Sequence, residues 1–454
     1  MKQTAKRIFF FLSACFVANL SFAQDTAEAV TAWLKQNSIP IKYIEAGNGF
    51  SDIQPLKKIL QHVQVIGLGE ATHGTHEFYK MKGRLVEFLV TQMGFTAFAI
   101  ESSFSDCEPI NDYLLTGKGD RATGLTNQNY TAWDNDEFSA MLDWMRKYNQ
   151  KVPDEKKVRF YGLDILSLQK VGREKARTYF QKYVTGKAAS IDSVVNVFAG
   201  EEVNWMDRVN QTALKQIFIP LNDLISYLTD NKDRLVAVSS LKEWEQTHKY
   251  LEVMQQSLYF HLKENTPPAF ASKRLERDEY MWQNLQYLME KERPDAKFMV
   301  WAYNGHLSSN DETEQHDVGY FLRHKLGNKY YALGLQCYDG TFQTREKLPD
   351  NFWGDLKIDT LHAVPKSANW YFAQTGKPCF FVDLRQASSN AVIGKWLDTP
   401  NSFAAGYWIH RKANENFETR KLKGLYDGII FVQHSTPVHP TKNALARSKD
   451  RIGF

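Results

Sequence analysis

Cysteine is almost missing from this 454-residue chain, occurring only at positions 15, 107, 337 and 379. No two of these are close enough for a CxxC metal or redox motif. A chain of this size stabilises itself through its core, so buried free thiols are expected rather than a disulfide framework. Charge of one sign is also lacking. The formal net charge is +4, and Lys2, Lys6 and Arg7 supply three of those charges. Such a balance attracts neither nucleic acid nor an anionic membrane, and neither is expected as a partner. No apolar run reaches the roughly 20 residues that a membrane span needs. Internal repeats and low-complexity segments are absent.

Several catalytic signatures are missing too. There is no G-x-S-x-G, which argues against the serine nucleophile elbow. Gly67-Leu68-Gly69 begins a dinucleotide fingerprint, but Thr72 stands at the third glycine position and Glu70 would repel a pyrophosphate. His73-Gly74-Thr75-His76-Glu77 follows neither zinc-helix order, H-E-x-x-H or H-x-x-E-H, and its histidines straddle a turn. The expectation is therefore no cofactor and no metal. A divalent ion held by a Glu/His cluster is the competing reading.

What is present begins with a leader. A basic n-region precedes the largely apolar residues 8–20, and Ser21-Phe22-Ala23 has a small-x-small pattern. Residues 1–23 read as a secretory signal peptide, which would send a mature chain of residues 24–454 to the periplasm or the medium. Leu12-Ser13-Ala14-Cys15 resembles a lipidation box, but the residues after Cys15 stay apolar, which argues against an anchor there.

Short apolar runs at 63–68, 95–100, 158–163, 298–302, 330–335, 380–384 and 428–432 read as strands covered on both faces. Between the first two, Phe78, Met81, Leu85, Phe88 and Leu89 mark one face of a helix, with Thr75 placed to cap it and Gly94 to end it. Strand–helix–strand units of this length imply parallel pairing. Residues 136–149 predict another amphipathic helix. Residues 175–292 hold long helical patterns, broken once at Asn265-Thr266-Pro267-Pro268, and read as a helical insertion roofing a cleft. The fold class is α/β, with a central, mostly parallel mixed sheet flanked by helices.

The polar residues are placed with equal regularity. The first run ends in Gly69-Glu70 and is followed by His73. The second ends at Glu101, the third at Asp164, and the fourth is followed by Tyr303-Asn304-Gly305-His306. In open α/β sheets, ligands bind beyond the carboxyl ends of the strands. Convergence of Glu70, His73, Glu101, Asp164 and His306 there would supply an imidazole base for water, a carboxylate to fix its tautomer, and cations for a developing oxyanion. Either Glu70 or Glu101 could orient His73; Lys82, Tyr303, Asp164 and Asn304 could support substrate or oxyanion. Read singly, each has a blander role: a strand-end acid is often a cap or salt-bridge partner, Lys82 a solvated helix charge, and His76 a surface residue. His248, His261 and His439 have no pattern around them.

Taken together, these residues resemble the erythromycin esterase family. The resemblance is carried by Gly69-Glu70-Ala71-Thr72-His73-Gly74, Glu77-Phe78-Tyr79-Lys80-Met81-Lys82, Gly94-Phe95 through to Glu101, Phe160-Tyr161-Gly162-Leu163-Asp164, Arg277-Asp278 with Met281, Trp301-Ala302-Tyr303-Asn304-Gly305-His306, and Tyr426-Asp427-Gly428. It implies a metal-independent hydrolase that opens the macrolactone of erythromycin-like macrolides and confers resistance to them. His73 would be the base for water, with Glu70, Glu101 and His306 in the same site. Two positions depart from some members: Lys82 stands where they have arginine, and Tyr303 where they have a second histidine. Hydrolysis of another ester, lactone or amide, or a ligand- or metal-binding role without turnover, are the alternatives.

Overall fold

The computed structural model describes residues 27–128, 130–201, 209–262, 276–309, 316–347, 353–404 and 417–449. The signal peptide, Cys15 and the 265–268 break lie outside them.

The main sheet is built around β2 (Val65–Leu68), after a short leading strand β1 (Ser38–Pro40). On one side of β2 lie β5 (Phe298–Trp301), then β3 (Ala97–Ser103), then β4 (Arg159–Asp164), all parallel. On the other side come β6 (Tyr330–Lys347) and β11 (Gly428–Ser435), also parallel. β8 (Cys379–Asp383) pairs antiparallel with β11, and β1 with β8, so the sheet is mixed but mostly parallel, as expected. The chain leaves β2 in one direction for β3 and later crosses to its other side for β6. A crevice opens at the carboxyl end of a strand where the order reverses in this way.

All seven apolar runs are strands. The helix His76–Met93 buries Phe78, Met81, Leu85, Phe88 and Leu89 completely, and Gly94 closes it in the left-handed region at φ 73°. Thr75 occupies the cap position, but its hydroxyl meets that of Thr72 instead of a helix N–H. The second expected helix spans Asp136–Asn149, and Asn135 caps it by accepting from the Phe138 N–H. Between β4 and β5 run the helices Lys170–Tyr183, Ala188–Gly200, Gln211–Asp230, Lys232–Val238, Leu241–His261 and Arg277–Lys291. Cys107, Cys337 and Cys379 are free and buried, as expected of a chain large enough to rely on its core.

Two features go beyond what the sequence pattern predicts. β6 does not stop near residue 335: its polar far half pairs antiparallel with β7 (Trp353–His362) as a long hairpin. β9 (Pro400–Ala404) and β10 (Phe417–Lys421) form a separate two-stranded sheet. Both ribbons are held by cross-strand backbone bonds and carry no continuous apolar run. Among the described residues no helix is long and apolar enough to cross a membrane.

Candidate active site

The turn after β2 is forced by close packing. A Cβ on Gly69 would lie 2.2 Å from the Asn304 amide oxygen, and one on Gly74 would lie 1.8 Å from the Gln343 carbonyl oxygen. No side chain fits at either place, so glycines bracket Glu70-Ala71-Thr72-His73. The Gly74 carbonyl then accepts the N–H groups of Gln343 and Val438, pinning the turn to β6 and to the loop after β11.

Within this turn His73 Nδ1 lies 2.8 Å from Glu70 Oε1. The other carboxylate oxygen accepts from Lys82 Nζ and Trp301 Nε1, each at 2.9 Å. Glu70 and Lys82 are fully buried, while His73 keeps 15% of its side-chain surface exposed. The His73 carbonyl accepts from the Tyr79 hydroxyl, and the ring lies near those of Trp133 and Tyr303. With Nδ1 held by Glu70, Nε2 is the nitrogen turned to the cleft. Of the two glutamates that the sequence offers, Glu70 is the one on His73. Lys82 is no solvated charge: burial, working against the pull of Glu70, lowers its pKa to about 8.

The second half of the cluster surrounds Glu101. This residue lies inside β3, not past its end as the apolar run implied, because the strand continues to Ser103. Its Oε2 accepts from the Tyr303 N–H at 2.9 Å. Its Oε1 lies 2.8 Å from Arg277 Nη2 and 3.1 Å from His306 Nε2. On the other side of the ring His306 Nδ1 meets Asp278 Oδ1 at 2.6 Å. Burial opposes charge on this imidazole, yet Asp278 and Glu101 hold its pKa well above the ordinary range. Burial also opposes ionisation of Glu101, but His306 and Arg277 hold its carboxyl well below the usual range. The imidazolium form of His306 is thus favoured by the two carboxylates, against the Arg277 guanidinium whose Nη1 lies 3.1 Å from the same Nε2. The stability it contributes is complete below its unfolded pKa of about 6.5 and is lost only as pH rises through the raised folded value.

Arg277 also donates through Nε to Asp164 Oδ1 at 3.0 Å, and its Nη2 reaches Asp164 Oδ2, which accepts from the Tyr130 hydroxyl as well. No strand end in the sequence points to Arg277 and Asp278, which come from the start of the helix Arg277–Lys291. The matching segment Arg277-Asp278 was the one available signal.

The structure brings Glu70, His73, Glu101, Tyr303 and His306 to one rim. Lys82, Asp164 and Asn304 sit behind it, not in it. Lys82 serves Glu70, Asp164 serves Arg277, and the Asn304 amide exchanges hydrogen bonds with the Leu335 backbone, tying the β5 end to β6. Each is buried and engaged by protein groups, so none reaches the cleft. The insertion reaches the rim through Arg277 and Asp278, and the described wall beside His73 is a different one. That wall comes from Thr131, Ala132, Gln343, Leu356, Val438 and Pro440, on the β6–β7 hairpin and neighbouring loops.

A rim of paired imidazoles and carboxylates at the switch point of an open sheet defines an α/β protein equipped for acid–base chemistry. The erythromycin esterase family model matches residues 90–435, taking in Glu101, Asp164, Arg277 and His306 and beginning after the His73 turn. The chain belongs to that family. A Bacillus subtilis (strain 168) protein, YbfO, whose name describes it provisionally as a hydrolase, is 24% identical over 89% of this chain and 91% of its own. Erythromycin esterase type II of Escherichia coli is 23% identical over 68% of this chain and 77% of its own. A crystal structure of a Bacillus cereus protein superposes with TM-score 0.78 at 26% identity, covering 92% of this chain and 99% of that one. The open conformation of an erythromycin esterase mutant, EreC, shares the fold at TM-score 0.66 and 15% identity, over 86% of this chain and 95% of that one. Family and relatives together mark the protein as a hydrolase.

Proposed function

We propose that the protein hydrolyses a carboxylic ester by direct attack of water, with the macrolactone of an erythromycin-like macrolide as its substrate class. Two of the similar proteins carry erythromycin esterase in their names, which supports that class. His73 Nε2 takes a proton from water as the oxygen adds to the ester carbonyl. The positive charge of His306, whose two ring nitrogens are held by Asp278 and Glu101, stabilises the oxyanion through space, and the Tyr303 hydroxyl turns to it from Glu418 Oε1, 3.4 Å away. The carbon–oxygen bond to the alcohol then breaks, and the proton held by His73 passes to the leaving alkoxide. Glu70 keeps the His73 proton on Nδ1 and offsets the imidazolium that forms. Lys82, Asp164 and Arg277 are positioning residues.

The observation that carries this reading is the 2.8 Å contact of Glu70 with His73 Nδ1, its other oxygen filled by two donors. Purified protein incubated with erythromycin should yield a product heavier by one water. Turnover of a different ester, lactone or amide with the macrolide left intact would revise the substrate class and leave the chemistry. Ligand binding without turnover across such a panel would reduce the protein to a binding module.

Glu70→Gln tests the tautomer. Lys82 and Trp301 both donate at Oε2, so the glutamine carbonyl must stay there and its NH2 must face His73 Nδ1. The ring proton is then forced onto Nε2, and kcat should fall by about a hundredfold or more with the fold unchanged. Lys82→Arg tests the charge behind Glu70. In the parent, raising pH through about 8 discharges Lys82 and leaves Glu70 without its counter-charge, so kcat/KM should fall on an alkaline limb near that value. Arginine stays charged, and the limb should move to higher pH. A limb unmoved by the substitution would assign it to another group.

A further inference from the structure

A second cluster of ligating side chains lies outside this rim. His76, at the start of the helix His76–Met93, and His439, in the loop after β11, both direct Nδ1 at the same oxygen, Oε1 of Glu137, each at 2.6 Å. The three ligand atoms lie within 4.8 Å of one another. The two rings are edge-to-face at 87°, so their nitrogens converge and do not stack. The sequence pattern puts His76 on the surface and leaves His439 without neighbours of note, because the three residues are far apart in the chain.

We propose that His76, Glu137 and His439 form a binding site for a divalent transition-metal ion, zinc above all. Two imidazoles and one carboxylate are the donor set that zinc takes, with a fourth, open position for water. The exposed His439 ring leaves that position to solvent. The carboxylate is already arranged as a ligand. Its Oε2 accepts the His439 backbone N–H, which leaves Oε1 for the ion. Glu77, the neighbouring acid, is not a ligand; both its oxygens accept from Thr436.

The three segments are held together by backbone bonds independent of any ion. The His76 N–H donates to the Thr436 carbonyl and the Asp136 N–H to that of His439, while Thr75 pairs with Pro437 and Asn135 with Pro440. The ligands are thus preorganised, and a bound ion would staple the loop after β11 to the starts of two helices. The consequence reaches the cleft. His439 stands between Val438 and Pro440, which line the wall beside His73. The site is therefore a structural clamp on that wall, separate from the hydrolytic residues.

The test uses chelator-stripped full-length protein titrated with zinc chloride and, in parallel, with cobalt(II). One zinc should bind per chain and raise Tm as its concentration increases. Cobalt should give the visible absorption of a low-coordinate N/O site. His439→Asn, at an exposed position that does not endanger folding, should weaken zinc binding by more than about tenfold and abolish both the Tm rise and the cobalt band. His73→Gln and His306→Asn should keep all three. Absence of stoichiometric zinc in the parent, or zinc retained by His439→Asn and lost from His73→Gln or His306→Asn, would overturn the proposal.

Discussion

His73→Gln should lower kcat/KM for the hydrolysed ester by about a thousandfold to ten-thousandfold, the upper part of the range that a positioned general base contributes. The variant should fold and bind substrate as before, because His73 is a partly exposed turn residue whose loss opens no large cavity. Glutamine cannot accept a proton near neutral pH, and no other rim residue replaces it. His306 is held as an imidazolium by Asp278 and Glu101. Glu101 is held ionised and saturated by the Tyr303 N–H, Arg277 and His306. Lys82 is out of reach behind Glu70. The residual rate comes from the oxyanion donors alone. A variant with parental turnover would remove His73 from the chemistry.

Arg277→Met should cost stability on a scale that surface charges do not reach. The guanidinium is the shared partner of Glu101 and Asp164, which are 4% and 0% exposed. Taking away the cation leaves two buried carboxylates facing each other. Breaking such a buried pair by removing one member typically costs about 3–5 kcal/mol. Lys291→Met provides the contrast. Its pair with Glu245 joins an exposed lysine to a half-buried glutamate, and its loss should cost no more than about 1 kcal/mol. Urea unfolding of both variants, read as a change in midpoint at constant slope, separates the two cases. Equal small losses would mean that the Arg277 network does not hold the rim together. Arg277→Lys should rescue only partly, because an ammonium cannot span Asp164 with two parallel bonds and still reach Glu101.

The legible parts of this molecule are those encoded locally. Continuous apolar runs gave the buried parallel strands, and a polar residue just past such a run points to the sheet rim wherever it occurs. Glu70, His73 and His306 were visible for that reason. The helix pattern says more about Lys82 than its charge does. It lies four residues after Phe78 and three before Leu85, on the helix face that is otherwise apolar, and a lysine there is buried opposite a partner. Glu101 was displaced by one step because a strand running into a site need not stop where its apolar residues do. The β6–β7 hairpin stayed hidden because its arms are polar and their register comes from each other. Arg277 and Asp278 were hidden for a different reason. Arg277 meets Asp164 across 113 residues of chain, and nothing local to either announces the other. The same is true of Glu137 and His439.

Two imidazoles divide the work of the rim: one is held by a single carboxylate, with no partner on its outer nitrogen among the described residues, and the other lies between two carboxylates. Nitrogen-15 NMR of histidine-labelled protein, with signals assigned from His73→Gln and His306→Asn, reads this division directly. In the neutral ring of His73 the proton should sit on Nδ1 with Nε2 unprotonated, and His306 should show both nitrogens protonated well past the pH at which a free imidazole discharges. A His73 proton on Nε2, or a His306 that loses its charge at an ordinary imidazole pH, would contradict it.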